Sequence, residues 1–154
     1  MNQLLRHTVA TVAYRGERAL DGASPEFAAF RLDATSRTPA EILAHMGDLF
    51  DWALSIAEGR ETWHDSKPLP WDREVARFFA ALAALDARLA DAAPPEAPAE
   101  RLFQGPIADA LTHIGQLAML RRLAGCRIRG ENFFVATIET GRVGSGQAKP
   151  VKQF

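Results

Sequence analysis

A carboxylate, an imidazole and an amide recur at helical spacing in the stretch ADALTHIGQLAMLRRLAG. Asp109, His113 and Gln116 stand four and then three residues apart, and residues at these separations share one face of a helix. Leu117 and Leu120 continue close to the same side, so this polar stripe is expected to point away from bulk solvent. A carboxylate four residues before a histidine can hold a metal ion from a single helix.

The same spacing also has a plainer explanation. Asp109 lies in the expected first turn of its helix, where the helix dipole favours a negative charge. His113 could be a half-exposed histidine with one hydrogen bond. The spacing alone therefore leaves metal ligation and ordinary polar roles both open.

His45, in the stretch EILAHMGDLFDWAL, is the candidate for a third ligand. Its neighbours at helical spacing, Ile42, Leu49 and Trp52, are apolar, so His45 is expected to point inward. A lone histidine on an apolar face is also common as a hydrogen-bonded core residue. A third ligand from a second helix would nevertheless complete a three-ligand metal site.

The depth of these residues in their helices predicts how the helices run. Counted from Pro39 and Pro106, the expected first helical residues, His45, Asp109 and His113 lie about 5–10 Å from their helix starts. Antiparallel helices would offset them by about 9 Å or more. We therefore predict that the second and fourth helices run parallel and that the three side chains converge near the N-terminal ends.

The elements that must position these residues are four segments with helical periodicity. The strongest start signal is TPAE, which places Thr38 as N-cap, Pro39 at the first helical position and Glu41 in a capping box. A proline-rich linker, DAAPPEAPAE, separates the third helix from the fourth. The four helices are expected over 2–20, over 39–58 with Gly59 as the C-terminal stop, from 71 or 72 to about 90, and over 106–124.

This pattern predicts an all-α four-helix bundle without strands. Residues 1–154 are expected to form one domain, with a C-terminal tail from about 126 to 154 and a short helix around Glu131 to Glu139. The stretch GASPEF is expected to be a turn. In the connector that follows, Phe27, Phe30 and Leu32 are expected to plug into the core.

Composition excludes several function classes. The chain has 154 residues, 47% hydrophobic and 24% charged, and a net charge of −1, so no basic balance indicates a nucleic-acid partner. No apolar run reaches the ~20 residues that span a bilayer, and the N-terminus does not have the pattern of a signal peptide. Cys126 is the one cysteine, which is typical of a reducing compartment. We expect a soluble cytoplasmic protein.

Two blocks, RTPAEILAHMGDLFDWAL and ADALTHIGQLAMLRRLAGCRIRGENFF, carry a resemblance to a known family. The chain resembles the DinB/YfiT-like metalloenzyme superfamily, in particular its DinB family proteins, over nearly its whole length. The resemblance implies a four-helix bundle with a long crossover connection, and often a homodimer. It also implies a divalent metal, such as Zn, Ni or Fe, and a small-molecule substrate.

The resemblance further implies which residues bind the metal. In many members a histidine of the second helix and two histidines four apart on the fourth are the ligands. His45 and His113 match the first and the last, and Asp109 stands where the middle histidine is usual. Two histidines and one carboxylate remain a competent three-ligand set.

The remaining candidates surround this set. Gln116 could bind a ligand or orient a metal-bound group, and Trp52 could line a substrate pocket. Asp48 could hold the second nitrogen of an imidazole, although exposure to solvent is the favoured expectation. No catalytic residue is assigned. Cys126 is expected to be structural. His7 and His64, the other two histidines, are expected to lie at the surface.

Two functions follow from the resemblance. Some relatives are transferases or isomerases that use a low-molecular-weight thiol, so the leading hypothesis is a metal-dependent thiol S-transferase. The alternative is a non-catalytic dimeric bundle, metal-free or with a vestigial site, in a stress-linked or ligand-binding role. Asp109 is the residue that favours the alternative, because it departs from the usual histidine.

Overall fold

A computed structural model describes residues 3–154, and the regular structure within them is helical. This confirms the all-α prediction. Asn2, where the first helix was expected to begin, lies outside the described residues. The helices are α1 (Gln3–Leu20), α2 (Pro25–Ala28), α3 (Pro39–Ala57), α4 (Trp71–Ala90), α5 (Ala99–Leu102) and α6 (Ala108–Leu123), with a π-turn at Phe103–Ile107 and a 3₁₀ turn at Phe133–Val135.

The predicted start and stop signals of α3 are confirmed. The Thr38 hydroxyl accepts a hydrogen bond from the Glu41 amide at 3.2 Å, and the Glu41 carboxylate accepts one from the Thr38 amide at 2.7 Å. These two bonds satisfy amides that the first turn of a helix leaves free. Gly59 has φ of +72°, a conformation that glycine adopts without a steric penalty and that ends the helix.

The four long helices, α1, α3, α4 and α6, enclose one hydrophobic core. Helix α1 packs against α4 and α6, and α3 packs against the same two helices. Burial of each large core side chain stabilises the fold by about 1.5–3 kcal/mol. The largest fully buried apolar side chains include Tyr14, Phe50, Phe78, Leu43, Met46 and Leu82.

Helices α3 and α4 run parallel, and a long loop of residues 58–70 connects them. Near the start of both helices, the Arg77 guanidinium donates to the Ala44 carbonyl at 2.6 Å. Beyond the far ends, the Glu96 amide donates to the Ala57 carbonyl at 3.1 Å. Since two parallel helices must be joined by a chain that returns along their length, the loop is a crossover connection.

Helix α6 runs antiparallel to α3, so the parallel prediction was wrong. Asp109 and His113 contact His45, whereas the earlier residue Gly105 lies beside the later residue Trp52. Helices α3 and α6 therefore run in opposite directions where His45 meets Asp109 and His113.

The error comes from where the last helix begins. The chain is already helical at Ala99 and continues through the π-turn, so Pro106 lies inside the helix and does not start it. A π-turn is a local irregularity that lets the helix continue past a residue without a backbone N–H donor. Asp109 and His113 thus lie about 15 and 21 Å past Ala99, and His45 lies about 18 Å before Ala57. At these depths antiparallel helices bring all three to one level.

The tail follows α1 and contains one 3₁₀ turn in place of the expected short helix around Glu131 to Glu139. The Tyr14 hydroxyl donates to the Glu131 carboxylate at 2.5 Å, and the Gln147 amide donates to Glu17 at 3.0 Å. These long-range bonds hold the tail on the helices without regular structure of its own.

The connector after α1 differs from expectation at two positions. GASPEF contains the one-turn helix α2, because the Ser24 hydroxyl caps it by accepting from the Phe27 amide. Phe27 is buried and Phe30 packs against the core as expected, but Leu32 is 56% exposed. Within residues 3–154, no helix has the length and apolarity needed to cross a membrane.

Candidate metal centre

His45, Asp109 and His113 converge between α3 and α6. His45 Nε2 lies 3.6 Å from one Asp109 oxygen, and His113 Nε2 lies 3.5 Å from the other. The imidazole rings meet edge to face with centroids 4.9 Å apart. One possible ligand atom from each residue lies within 4.8 Å of the other two. One ion placed between the three side chains could therefore contact all of them.

The two imidazole–carboxylate separations are longer than strong hydrogen bonds, and each ends on a different oxygen of Asp109. Strong N–H···O hydrogen bonds measure about 2.7–3.2 Å, and both imidazole–carboxylate distances are longer. Ligands about 2.0–2.2 Å from a tetrahedral ion stand roughly 3.3–3.6 Å apart. The observed 3.5 and 3.6 Å lie in that range. A set of two histidines and one carboxylate suits Zn, Ni or Fe.

Gln116 orients the His113 ring. Its side-chain oxygen lies 2.9 Å from His113 Nδ1, and an amide oxygen can only accept, so Nδ1 carries the proton. His113 Nε2 is then the unprotonated nitrogen, and it faces Asp109 and His45. An outer partner that fixes the tautomer of a ligating histidine is a usual part of metal sites. Gln116 therefore contacts a candidate ligand, and its role in orienting a metal-bound group stays a prediction.

The surroundings of His45 favour its neutral form. Burial lowers the pKa of the His45 imidazole, and the nearby His113 and Arg37 lower it further, against an opposing effect of Asp109. A neutral imidazole has a free lone pair and can bind a cation without first losing a proton. His45 is thus prepared for ligation at neutral pH.

This pKa shift predicts a pH-dependent stability of the metal-free protein. Because the folded state holds His45 below the ordinary histidine value of about 6.5, the unfolded chain binds more protons below that pH. Stability should therefore be full above pH ~6.5 and fall as the pH drops toward the folded pKa. The free energy of unfolding can be measured with urea in the presence of a chelator at about pH 7.5 and 5.5. Between these two pH values it should fall less in His45→Gln than in wild type. Equal losses would contradict the assignment.

Tryptophans form a wall beside the candidate ligands. Trp63 lies edge-on to His45, with ring centroids 5.7 Å apart, and it contacts Trp52 at 5.8 Å. The Trp52 indole N–H donates to Glu61 at 3.2 Å. Trp63, from the crossover loop, therefore lies against His45, and Trp52 packs behind Trp63. A place for Trp52 in a substrate pocket stays a prediction. The Asp109 side chain is 46% exposed, so the other side of the site opens to solvent.

Asp48 corrects an expectation, because it is 2% exposed where solvent exposure was favoured. Its carboxylate accepts from the Ser66 amide at 2.8 Å, from the Ser66 hydroxyl at 2.7 Å and from Arg77 at 3.0 Å. His64 lies at the surface as expected, yet its Nε2 is 3.2 Å from the same carboxylate. Asp48 thus anchors the crossover loop. Its hydrogen bonds go to Ser66 and Arg77 and not to the imidazole of His45.

Arg77 is the centre of this second cluster, and the sequence analysis did not identify it. The guanidinium binds Glu74 at 2.7 Å, Asp48 at 3.0 Å and Asp51 at 3.0 Å. Burial lowers the Arg77 pKa, but hydrogen bonds to Glu74 and Asp48 outweigh it and leave the pKa above its ordinary value. The signal in the sequence was Gly47 inside a helix, since a Cβ there would lie 2.6 Å from the guanidinium.

The second cluster is a poor metal site although it contains two carboxylates and a histidine. Asp48, Asp51 and His64 place possible ligand atoms within 4.8 Å of one another. The Arg77 guanidinium already occupies the space between the carboxylates and would repel a cation. We therefore assign this cluster to anchoring residues 58–70 and keep the first cluster, His45, Asp109 and His113, as the group that could hold a metal ion.

An open groove of about 510 Å³ borders His45 on the side away from α6. Arg37 and Lys67 line it, and neither forms an ion pair within residues 3–154. Arg31 also lines it but is paired with Glu41. The groove thus presents two cations, Arg37 and Lys67, and one carboxylate, Asp65, that form no ion pair within the described residues.

The other candidates lie elsewhere. The His7 ring is half-buried and lies 3.4 Å from the Thr140 hydroxyl. Cys126 is half-buried beyond the end of α6, and its carbonyl accepts from Arg121 at 2.8 Å. Neither His7 nor Cys126 contacts the candidate metal ligands within residues 3–154.

The chain matches no protein-family model, no curated protein and no solved structure. The resemblance to DinB family proteins therefore stays a prediction, and the site is interpreted from its own geometry.

Proposed function

We propose that the protein is a divalent-metal-dependent enzyme acting on small molecules, with His45, Asp109 and His113 as the metal ligands. The proposal includes a DinB-like four-helix bundle as the fold and a homodimer as the assembly. Its main support is the convergence of three ligand atoms from two helices, with distances of 3.5 and 3.6 Å from Asp109 to the imidazoles.

The substrate binds in the groove beside His45 and against the tryptophan wall. Arg37 and Lys67 can bind carboxylates, and Trp63, with Trp52 packed behind it, offers apolar surface next to His45. A low-molecular-weight thiol that carries carboxylates matches this combination. We therefore propose an S-transferase that joins such a thiol to a small electrophile.

The residues have distinct tasks in this reaction. When bound, a divalent metal supplies a Lewis acid that favours the thiolate form of a sulfur ligand. His45 presents a ring nitrogen whose neutral form is favoured by burial, and Gln116 directs His113 Nε2 toward the site by its contact with Nδ1. Trp63 shields one side of His45 from water, while the exposed side of Asp109 admits the second substrate.

The direct test is metal content and its effect on stability. Protein purified without chelator or nickel resin should contain about one divalent ion per chain, which His45→Ala and His113→Ala variants should lack. Removal of the ion should lower the melting temperature, because a ligand that binds only the folded state stabilises it. A metal-free protein with an unchanged transition after Zn, Ni or Fe addition would favour the non-catalytic alternative.

Gln116 should affect metal affinity without being a ligand. Gln116→Leu keeps the size of the side chain but removes the acceptor for His113 Nδ1, so the imidazole can rotate or change tautomer. Loss of such an outer partner typically weakens metal affinity about 10–100-fold. Competition with a chromogenic chelator measures this change. Gln116→Glu, which retains the acceptor, is the matched control, and equal weakening in both variants would contradict the positioning role.

A further inference from the structure

A separate cavity of about 290 Å³ lies between α1, α6 and the tail. This volume is close to the lower limit of small-molecule pockets, about 300 Å³. The cavity shares no residue with the candidate metal centre. Its apolar surface comes from Ile114, Ala118, Met119 and Phe133.

Positive charge dominates this cavity. Glu131 is its one acidic lining residue, and it is already bound by Tyr14 at 2.5 Å and by Arg18 at 3.3 Å. The other lining arginines form no ion pair or side-chain hydrogen bond within residues 3–154. Four guanidinium groups without an ion pair within residues 3–154 thus border one small space, those of half-buried Arg15 and of the exposed Arg122, Arg127 and Arg129.

Arg15 is the most informative of the four. Its Nε is buried and has no hydrogen-bond partner within the described chain, and such unsatisfied buried donors are rare in folded proteins. The guanidinium carbon lies 4.4 Å from the centre of the Phe133 ring, a stacking contact that holds the group in place. An oxyanion in the cavity would neutralise the cluster and is the partner that the guanidinium geometry favours.

We propose that this cavity binds a small organic anion, with its phosphate or carboxylate group between the arginines. The rest of the molecule packs against Ile114, Ala118 and Met119. A guanidinium binds planar or tetrahedral oxyanions through two parallel N–H donors, which explains why arginine and not lysine surrounds the cavity. The proposal is independent of the metal centre.

Titration of ¹⁵N-labelled protein with phenyl phosphate tests the proposal. Saturable shifts should appear in the amides of Gly115 and Gly130 and in the side-chain Nε–H signal of Arg15. Inorganic phosphate should bind more weakly because it lacks the apolar part. Absence of saturable shifts up to about 20 mM phenyl phosphate would overturn the site, since specific small-molecule sites bind below that concentration.

Matched charge variants localise the effect. Arg15→Gln or Arg129→Gln should weaken phenyl phosphate binding about tenfold, because each removes a charge-assisted hydrogen bond. Arg73→Gln removes the same charge from an exposed position of α4 and should leave binding unchanged. Equal weakening by Arg73→Gln would overturn the site. Tighter, strongly salt-dependent binding of a single-stranded oligonucleotide or of anionic phosphatidylserine vesicles would also overturn it and assign the arginines to a polyanion surface.

Discussion

Replacement of Arg77 by alanine is expected to destabilise the protein by about 3–5 kcal/mol, because it removes the cation from a buried ionic cluster. Glu74 is fully buried and Asp48 nearly so, and both bind the guanidinium. Without it, Glu74 keeps one hydrogen bond, from the Leu69 amide at 2.8 Å. An unpaired buried carboxylate is far more costly than the loss of a surface ion pair.

Equilibrium urea unfolding of Arg77→Ala measures this loss. Arg73→Ala is the matched control: it lies in the same helix, is exposed and should change stability by less than about 0.5 kcal/mol. Arg77→Lys retains the charge but not the fork of donors, so it should fall between wild type and alanine. A loss below about 1 kcal/mol in Arg77→Ala would show that the cluster does not support the fold.

The same variant should also release the crossover loop. Ser66 and Leu69 donate their amides to Asp48 and Glu74, and these carboxylates depend on Arg77 for neutralisation. Hydrogen exchange at the Ser66 and Leu69 amides should accelerate in Arg77→Ala even where the core remains protected. Because Trp63 belongs to this loop, the wall beside His45 would loosen with it.

Local signals in the sequence accounted for much of the fold. Thr38 and Glu41 formed the predicted capping box, and Gly59 ended α3 where a left-handed residue was expected. Such features depend on residues within one turn of each other, so a pattern of residue types contains the necessary information.

The features that could not be predicted depend on distant residues. Pro106 indicated a helix start because proline lacks a backbone donor, but the π-turn carries the helix through it. Asp48 was expected to be exposed because its partner Arg77 is on another helix, and no periodicity links the two. The three candidate ligands lie together nonetheless. The last helix begins at Ala99, earlier than predicted, and at that depth an antiparallel helix brings Asp109 and His113 level with His45.

Loss of one candidate ligand should weaken metal binding about a hundredfold. His113→Ala removes a nitrogen that lies 3.5 Å from Asp109, and a two-ligand site holds divalent ions weakly. Structural zinc sites bind with about 10–16 kcal/mol from four ligands, so one ligand is worth roughly 3 kcal/mol, or about a hundredfold in affinity. Calorimetric titration of the metal-free protein with Zn measures the change. His64→Ala, which alters the second cluster only, should bind Zn like wild type, and equal losses would contradict the assignment.

Asp109→His tests whether the carboxylate itself contacts the metal. Imidazole favours Zn and Ni, whereas a carboxylate also suits harder ions such as Mn. If Asp109 is a ligand, the substitution should raise the ratio of Zn to Mn affinity by about tenfold or more. Thr112→His adds an imidazole at an exposed neighbouring position of α6 and should leave the ratio unchanged. An unchanged ratio in Asp109→His would remove Asp109 from the ligand set. It would leave only two histidines, which fits a vestigial site better than a catalytic one.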